Sequence, residues 1–387
     1  MLRCPRPEPM DTRTIERQSI LNARHRELGS ALDGELWNRM ALPWRYRTDP
    51  HEEVIATRTR AALYDVSALN IIHVRGPDAQ DVLNRLVCID VARLMPGSAR
   101  LGAEVDEEGA LTDDIMLMRD SPDAFRVSHG SGGTPAALAT LASGKRVTIE
   151  PDRDVHVLSL QGPASLRLLA PHCPAPLAEL GYMNHLSTTL FGFAVVIGRG
   201  GYSGERGYEI YCASRDAVRI WDTILQIGAP AGVVAASWSA LELTRVEAAL
   251  LFYPFDMPEG DTTPWEVNMH WAVDLDKTAD YIGKKAVLRL RGRERFRQTG
   301  LAVEHTDAVP AGSEIFIGRD KVGLVTSSSY SSFLMQSLAM VHLAPSATHL
   351  GTRVSVRSEG IERPATVVRT PFYDPLRLRT HPEGRGR

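Results

Sequence analysis

One pattern occurs twice in this chain and limits what it can fold into. A strand-like run, Asn70-Ile71-Ile72-His73-Val74, meets the turn Gly76-Pro77-Asp78-Ala79 and then a helical segment through Val87. The same order returns at Val155-His156-Val157-Leu158-Ser159-Leu160, followed by Gln161-Gly162-Pro163-Ala164 and an amphipathic stretch. Alternating branched residues ended by Gly-Pro read as strand and turn. Two copies of one strand-turn-helix unit predict two related α+β lobes.

At 387 residues the chain is too long for one simple core, so more than one domain is expected. Residues 12–40 carry a loose apolar stripe, Ile15, Ile20, Leu21, Leu28 and Leu32, and read as helix. A second helix is expected over Pro50–Ala62, opened by Asp49-Pro50 with Glu52 and Glu53 in its first turn. After Asp276-Lys277 the pattern changes. A short helix begins at Ile282-Gly283-Lys284, and from Thr299 short β-rich runs such as Ser313–Gly318 and Val354–Val356 alternate with Gly and Pro turns. The expected architecture is α+β: residues 1–50 with 151–228 as a first lobe, 51–150 with 229–285 as a second, and 286–387 as an all-β, barrel- or jelly-roll-like C-terminal domain.

Composition narrows the function classes. Charged residues are 24% and the formal net charge is -3, so no global field recommends nucleic acid or an anionic membrane as partner. The basic C-terminal residues Arg377, Arg379, Arg385 and Arg387 read as a solvated end. Cys4, Cys88, Cys173 and Cys212 lie far apart without CxxC spacing, which fits a reducing compartment and argues against a zinc site or disulfide framework. Arg3, Pro5, Arg6 and Pro7 are not followed by an apolar h-region, Glu8 and Asp11 fit a transit peptide poorly, and no run reaches the roughly 18 apolar residues of a membrane span. The cytoplasm is the expected location.

The densest local signal is Gly201-Tyr202-Ser203-Gly204-Glu205-Arg206-Gly207-Tyr208-Glu209-Ile210, between the strand-like runs Phe191–Ile197 and Tyr208–Cys212. It reads as a hairpin presenting a carboxylate. Glu209 sits in an otherwise apolar strand start, where it needs either a nearby arginine or a ligand with paired N–H donors. A second acidic signal is the doublet Asp113-Asp114, after the turn Asp106-Glu107-Glu108-Gly109 and at the mouth of an apolar strand. Alternation sends the two side chains to opposite faces, so one points inward. A turn cap for Asp113 and a lysine or arginine for Asp114 would satisfy them without any ligand. A third cluster runs from Arg245-Val246-Glu247-Ala248 through Tyr253 and Asp256 to Thr262-Thr263-Pro264-Trp265-Glu266.

Other motifs fail. Gly198-Arg199-Gly200-Gly201-Tyr202-Ser203 lacks the third glycine of a dinucleotide fingerprint and precedes a strand; Gly130-Ser131-Gly132-Gly133 lacks the GK[ST] of a P-loop and reads as a turn before a helix at Ala136. The 12 histidines contain neither HExxH nor a deaminase signature, so no metal site is expected, and His129 and His270 are unremarkable in isolation.

Taken in order, these pieces resemble the folate-dependent aminomethyltransferase family, which includes the T-protein of the glycine cleavage system and tetrahydrofolate-dependent demethylases. The resemblance runs from Leu42 to Pro375 and rests on Leu42-Pro43 with Tyr46, Arg58 before Leu63-Tyr64-Asp65-Val66-Ser67, Gly109 with Asp113-Asp114, and Leu160-Gln161-Gly162-Pro163. It continues through the glycine hairpin with Glu209-Ile210, Arg245-Val246-Glu247-Ala248, Thr262-Thr263-Pro264, Ile282-Gly283-Lys284 and Val325-Thr326-Ser327. It implies three domains in a ring around tetrahydrofolate and transfer of a one-carbon unit from nitrogen, oxygen or sulfur to the cofactor. Asp114 matches the family's essential aspartate and Glu209 the glutamate that holds the pterin, with Tyr202, Arg245 and Asp113 beside the cofactor. Tyr253, His129 and Trp265 are expected on the donor side. A small methylated donor is the implied substrate, and some branches use a carrier or oxidoreductase protein as partner.

The departures fall on the donor side. Leu241 stands where T-proteins usually carry arginine, Ala68-Leu69 replaces His-Met, Arg206 replaces an acid, and His129 replaces asparagine. These favour the demethylase branch over the T-protein that acts on an aminomethyl-lipoyl carrier. A non-catalytic iron-sulfur assembly factor of the same fold would need a Lys-Gly-Cys-Tyr stretch, which Tyr202-Ser203-Gly204-Glu205 does not supply.

Overall fold

The structure, a computed structural model, describes residues 15–130 and 132–381. The expectations that fall on Arg3 to Asp11, Cys4, the helix start at residue 12, Ser131, Arg385 and Arg387 lie outside the described residues.

Both copies of the repeated unit form. Strand Asn70–Arg75 leads into helix Ala79–Leu86, and strand Val155–Gln161 into helix Ser165–Leu169, with glycine in each turn at φ +134° (Gly76) and +128° (Gly162). Each unit is built into its own sheet. One has five antiparallel strands in the order Ala99–Val105, Leu111–Ser121, Ala124–His129, Asn70–Arg75, Thr148–Pro151. The other has six, in the order His185–Leu190, Phe193–Arg199, Gly207–Ala213, Val155–Gln161, Ala62–Asp65, Val234–Ala235, the last pair parallel. The sequence division assigned 62–65 and 234–235 to the other lobe; here they complete the six-stranded sheet, joined to Val155–Gln161 through the register Leu63↔Leu160. Backbone pairing decided this, because Ala62-Leu63-Tyr64-Asp65 is buried throughout and carries no alternation to mark its sheet.

Alternation along the strands sorts the core into layers. Leu158, Leu160, Tyr208, Ile210 and Cys212 pack with Trp221 and Ile224 of helix Ser214–Gly228 on one face of the six-stranded sheet. From the other face Val157, Val196 and Tyr211 meet Ile71 and Met118 of the five-stranded sheet, with half-buried Met116, Trp37 and Tyr202 against them. The outer face of the five-stranded sheet, with Ile115, Leu117, Phe125 and Val127, is covered by helices Ala79–Leu86 and Thr134–Leu141. The C-terminal part is a closed barrel in the order Arg297–Val303, Gln336–Leu343, Asp320–Ser331, Glu314–Ile317, Arg353–Ser358, Ile361–Val368.

Residues 12–40 are not one helix. Within the described part the helix is Asn22–Glu27, followed by the strand pair Leu36–Trp37 and Met40–Ala41. Gly29 stops it. At φ +105° it closes a Schellman turn, its N–H donating to the Arg26 carbonyl at 2.9 Å and that of Ser30 to the His25 carbonyl at 2.9 Å. The following Pro50–Thr59 helix forms as expected, with the Asp49 carboxylate accepting from the His51 N–H at 2.9 Å.

Candidate functional site

Period-two alternation fixes where the two acidic signals point. On strand Leu111–Ser121, Asp113 shares a face with Ile115 and Leu117, and Asp114 shares the opposite face with Met116 and Met118. On strand Gly207–Ala213, Glu209 shares its face with Tyr211. Because Met116, Met118 and Tyr211 belong to the layer between the sheets, Asp114 and Glu209 both project into that layer.

Asp113 has a structural assignment. Its carboxylate is fully buried and accepts from the Gly130 N–H at 3.2 Å and the Thr134 hydroxyl at 3.1 Å, which is the turn-capping role expected of it. The same hydroxyl lies 2.9 Å from Glu104, opposite Asp113 in the strand register, so its one proton is shared between the two carboxyls. Burial pushes the Glu104 carboxyl up to about 7 against that hydroxyl. The folded state therefore holds this proton more tightly than the unfolded chain. Its contribution to stability is present below pH 4.5 and lost as pH rises through 7. Glu104→Gln is expected to stabilise the protein at pH 8 relative to pH 5, by about 2 kcal/mol. Denaturant unfolding at the two pH values checks this, and an equal effect at both would refute it.

Asp114 differs from its neighbour. Among the described residues no side chain hydrogen-bonds to its half-buried carboxylate, and the expected lysine or arginine partner is absent. Burial, reinforced by the charge of Asp113, holds it well above the usual carboxylate range. Such a group gains most from a cation brought against it.

Glu209 likewise lacks the arginine that would have made it a plain ion pair. Among the described residues its hydrogen-bond partner is the Tyr211 hydroxyl, donating to Oε2 at 2.9 Å. Burial raises its pKa, and the Tyr211 hydroxyl only partly offsets this. The preceding hairpin is fixed tightly. A Cβ at Gly201 or Gly207 would stand 2.0 or 2.2 Å from the Gln161 amide, so both must be glycine for Gln161 to bridge the turn. That amide donates to the Gly200 carbonyl at 3.1 Å and accepts from the Ser203 hydroxyl at 2.6 Å.

The same hairpin is anchored by Arg58, which is 1% exposed. Its guanidinium donates to Glu247 Oε2 at 2.7 and 2.9 Å, to the Ser203 carbonyl at 2.7 Å and to the Thr244 carbonyl at 3.1 Å, with Glu205 at 3.4 Å. The Tyr373 ring lies 4.0 Å from it, and the Tyr373 hydroxyl donates to Glu205. This network joins helix Pro50–Thr59, the glycine hairpin, helix Trp238–Glu247 and the segment after the barrel.

The remaining predicted residues separate. Tyr202 is half-buried, its hydroxyl donating to the Leu251 carbonyl and its ring 6.4 Å from Phe252. Burial holds its hydroxyl well above the usual phenol range. Arg245 is buried and engaged by protein groups: Glu242 at 2.9 Å, Asp256 at 2.5 Å, the Ser327 hydroxyl at 2.8 Å and the Leu250 carbonyl at 3.2 Å. Asp256 in turn accepts from the Phe252 N–H at 3.0 Å, so Arg245 positions the 250–256 loop against the barrel. Tyr253 and Trp265 pack in the cluster containing Ala103, Leu111 and Val287, where the Trp265 indole donates to the Val287 carbonyl at 2.8 Å. His129 is buried at the end of its strand, paired with Asn70.

Sequence reasoning overlooked Trp37, which lies inside the stretch read as helix, and Phe252. Ring centroids of Trp37 and Phe252 are 5.7 Å apart, and an added Cβ at Gly130 would meet both Trp37 and Asp113 at 3.7 Å. A tryptophan beside Leu36, one turn before Met40-Ala41, was the available signal. Among the described residues no group of three metal-ligating side chains is found, and no helix is long and apolar enough to cross a membrane.

Comparison with known proteins places both parts of the chain. Residues 21–277 match the GCVT N-terminal domain and residues 297–374 the glycine cleavage T-protein C-terminal barrel domain. The chain is 37% identical over 377 residues to a heme-dependent oxidative N-demethylase gamma subunit of Ectopseudomonas mendocina, covering 95% of this chain and 99% of the relative. It is 31% identical to an aminomethyltransferase of Streptomyces coelicolor, covering 92% and 97%. The solved glycine cleavage system aminomethyltransferase T of Bartonella henselae superposes with a TM-score of 0.85 at 26% identity, covering 92% of this chain and 98% of that one.

Proposed function

Because the chain belongs to the glycine cleavage T-protein family through both its GCVT N-terminal domain and its C-terminal barrel domain, we propose that it is a tetrahydrofolate-dependent one-carbon transferase, taking a methyl-derived unit from a small methylated donor. Family relatives carry the names aminomethyltransferase and N-demethylase subunit, which supports one-carbon transfer. The observation that carries the folate reading is Glu209: a carboxylate in the intersheet layer, raised by burial, with one described partner.

The residues present fit the cofactor. A pterin offers a ring N–H beside an amino group, and one carboxylate accepts from both. Tyr211 leaves one oxygen of Glu209 without a described donor, which is the acceptor such a pair requires. Tetrahydrofolate supplies the amine nitrogen that accepts the one-carbon unit. Asp114, on the facing sheet, holds negative charge against the transferring group as positive character builds there, an electrostatic and orienting role. The Gln161 and Arg58 contacts keep the hairpin that leads into Glu209 in place. The relative named as a gamma subunit makes an oxidoreductase partner, located with this chain in the cytoplasm, the natural extension of the proposal.

Glu209→Gln is expected to weaken tetrahydrofolate binding about 10- to 100-fold, the loss of one charge-assisted pair of hydrogen bonds. Fluorescence titration measures it, and an affinity within twofold of wild type would refute the clamp. For the reaction, the purified protein is incubated with tetrahydrofolate and a panel of N-, O- and S-methylated compounds, reading the folate product by mass. Absence of folate binding would end this reading, and ammonia release that requires an aminomethyl-lipoyl carrier would assign the T-protein reaction instead.

A further inference from the structure

We infer that Glu104 is a positioning residue for Asp114: from the far face of the sheet, through Thr134 and Asp113, it fixes the base of that carboxylate, and it does so in its protonated form. The inference rests on the one-carbon transfer reading for what Asp114 does. Glu104 pairs with Asp113 across strands Ala99–Val105 and Leu111–Ser121, beside a β-bulge where the register shifts between Glu104 and Val105. Directly opposed residues share a face, so both side chains lie on the outer face, away from Asp114 and against the first residue of helix Thr134–Leu141. Glu104 is 5% exposed, and Asp113 and Thr134 are fully buried. The Thr134 hydroxyl stands 2.9 Å from Glu104 Oε2 and 3.1 Å from Asp113 Oδ2. The other oxygen of Asp113, Oδ1, accepts from the Asp114 N–H at 2.9 Å, which carries the chain of contacts to the opposite face.

A hydroxyl has one proton to give. Both contacts of Thr134 are hydrogen bonds together when one carboxyl supplies a second proton, donating to the Thr134 oxygen while the Thr134 hydroxyl donates to the other carboxylate. Glu104 is the one that holds it. Asp113 accepts the Gly130 and Asp114 N–H groups, which favour its ionised form, whereas among the described residues no backbone N–H donates to the Glu104 carboxyl and no cation pairs with it. The titratable groups that face Glu104 are Asp113 across the strand pair, Glu259 and Tyr253 of the loop before Gly260, and Cys88, whose N–H donates to the Ala103 carbonyl at 2.9 Å. His129, on the neighbouring strand, shares the face of Ile115 by alternation. Apart from that imidazole each of these groups is an acid, so the surroundings resist a second negative charge. Burial, reinforced by Asp113, accordingly lifts the Glu104 carboxyl to about 7. Once Glu104 ionises, one proton is left between two anions and one of the two contacts becomes a repulsion. The start of the strand cannot follow, because the Leu111 N–H donates to the Thr262 carbonyl at 2.6 Å and the Gly260 N–H to the Leu111 carbonyl at 3.1 Å. The change therefore concentrates at Asp113-Asp114.

The test has two arms, both on the full-length protein. In the first, without cofactor, the Asp114 carboxyl is followed against pH by carbon-13 NMR of aspartate-labelled protein, its resonance identified by its loss in Asp114→Asn. Wild type is expected to show, besides the titration of Asp114 itself, a second step at the ionisation of Glu104, about 7. That step should vanish in Glu104→Gln, whose amide donates to Thr134 at every pH, shrink in Thr134→Val and persist in Thr134→Ser, which keeps the hydroxyl. A step that survives Glu104→Gln would belong to His129 and overturn the inference. A step undiminished in Thr134→Val would overturn it too, since Glu104 would then act by its field and not through the hydroxyl. In the second arm, kcat is measured with tetrahydrofolate and the panel of methylated compounds as donors. The Asp114 limb is common to wild type and Glu104→Gln, so the ratio of their kcat values cancels it. That ratio is expected to rise about 3- to 10-fold in favour of Glu104→Gln between about pH 6 and about pH 8.5, the worth of one hydrogen bond, with tetrahydrofolate affinity within about twofold of wild type. A ratio flat with pH would show that Glu104 does not position the transfer. Failure of wild type to turn over any donor would instead remove the transfer reading, and the carboxyl titration still decides the link from Glu104 to Asp114.

Discussion

Asp114→Asn is expected to bind tetrahydrofolate within a few-fold of wild type while turnover falls by about 10²-fold or more, the usual loss when one electrostatic stabiliser of a transition state is removed. The substitution keeps size and shape and removes only charge. Asp114 faces the intersheet layer with no described side-chain partner, so its replacement leaves no other residue unpaired. Burial and the neighbouring Asp113 raise its pKa. The wild-type kcat/KM should therefore rise with pH along a limb whose apparent pKa lies above the ordinary carboxylate range, and that limb should vanish in the Asn variant. Single-turnover assays against pH measure both. Normal turnover in the variant would show that Asp114 is not the stabilising charge.

Arg58→Met is expected to produce the largest loss of stability, about 3–5 kcal/mol, because it removes the central cation of a buried charge network, stranding Glu247 and leaving Glu205 with Arg379 at 3.3 Å. Glu247 is fully buried and Glu205 is 3% exposed; both meet the guanidinium, which also satisfies the Ser203 and Thr244 carbonyls. Arg58→Lys should recover little, since one ammonium cannot reproduce a five-donor fork that serves four acceptors. Adding Glu247→Gln to Arg58→Met should restore part of the loss, because it removes the stranded charge. Guanidinium unfolding of the four proteins tests the ordering. A loss of under about 1 kcal/mol for Arg58→Met would mean that the network contributes no more than a surface pair. The variant also reaches the site: with the Ser203 carbonyl released, the hairpin before Glu209 loses an anchor, so folate affinity should fall alongside stability.

Local signals were legible where a residue's own chemistry dictates geometry. The two strand-turn-helix units, the Asp49-capped helix and the β-rich C-terminal part follow from alternation, Gly-Pro turns and capping, and all appear in the fold. The stretch 12–40 misled because a loose apolar stripe resembles helix until the stop at Gly29 is weighed, and the strand pair beyond it carries Trp37. Arg245 shows the opposite difficulty. The family resemblance set it beside the cofactor, whereas its partners Asp256 and Ser327 lie 11 and 82 positions away and engage it from within the protein.

The sequence by itself determined the α+β class, the β-rich end and which two carboxylates stand in strand positions that need an explanation. Period-two alternation also requires that Asp113 and Asp114 point to opposite faces. Only the tertiary structure decided which of them is satisfied by protein groups. Gly130 and Thr134, 17 and 21 residues away, satisfy Asp113, and among the described residues no side chain hydrogen-bonds to Asp114. Tertiary packing alone also set Glu209 and Asp114 on facing sheets and brought Trp37, Tyr202 and Phe252 together from three distant segments. The physical reason is the same throughout. A strand fixes the direction of its own side chains locally, but whether a buried charge finds a partner depends on chain that returns from far away in sequence.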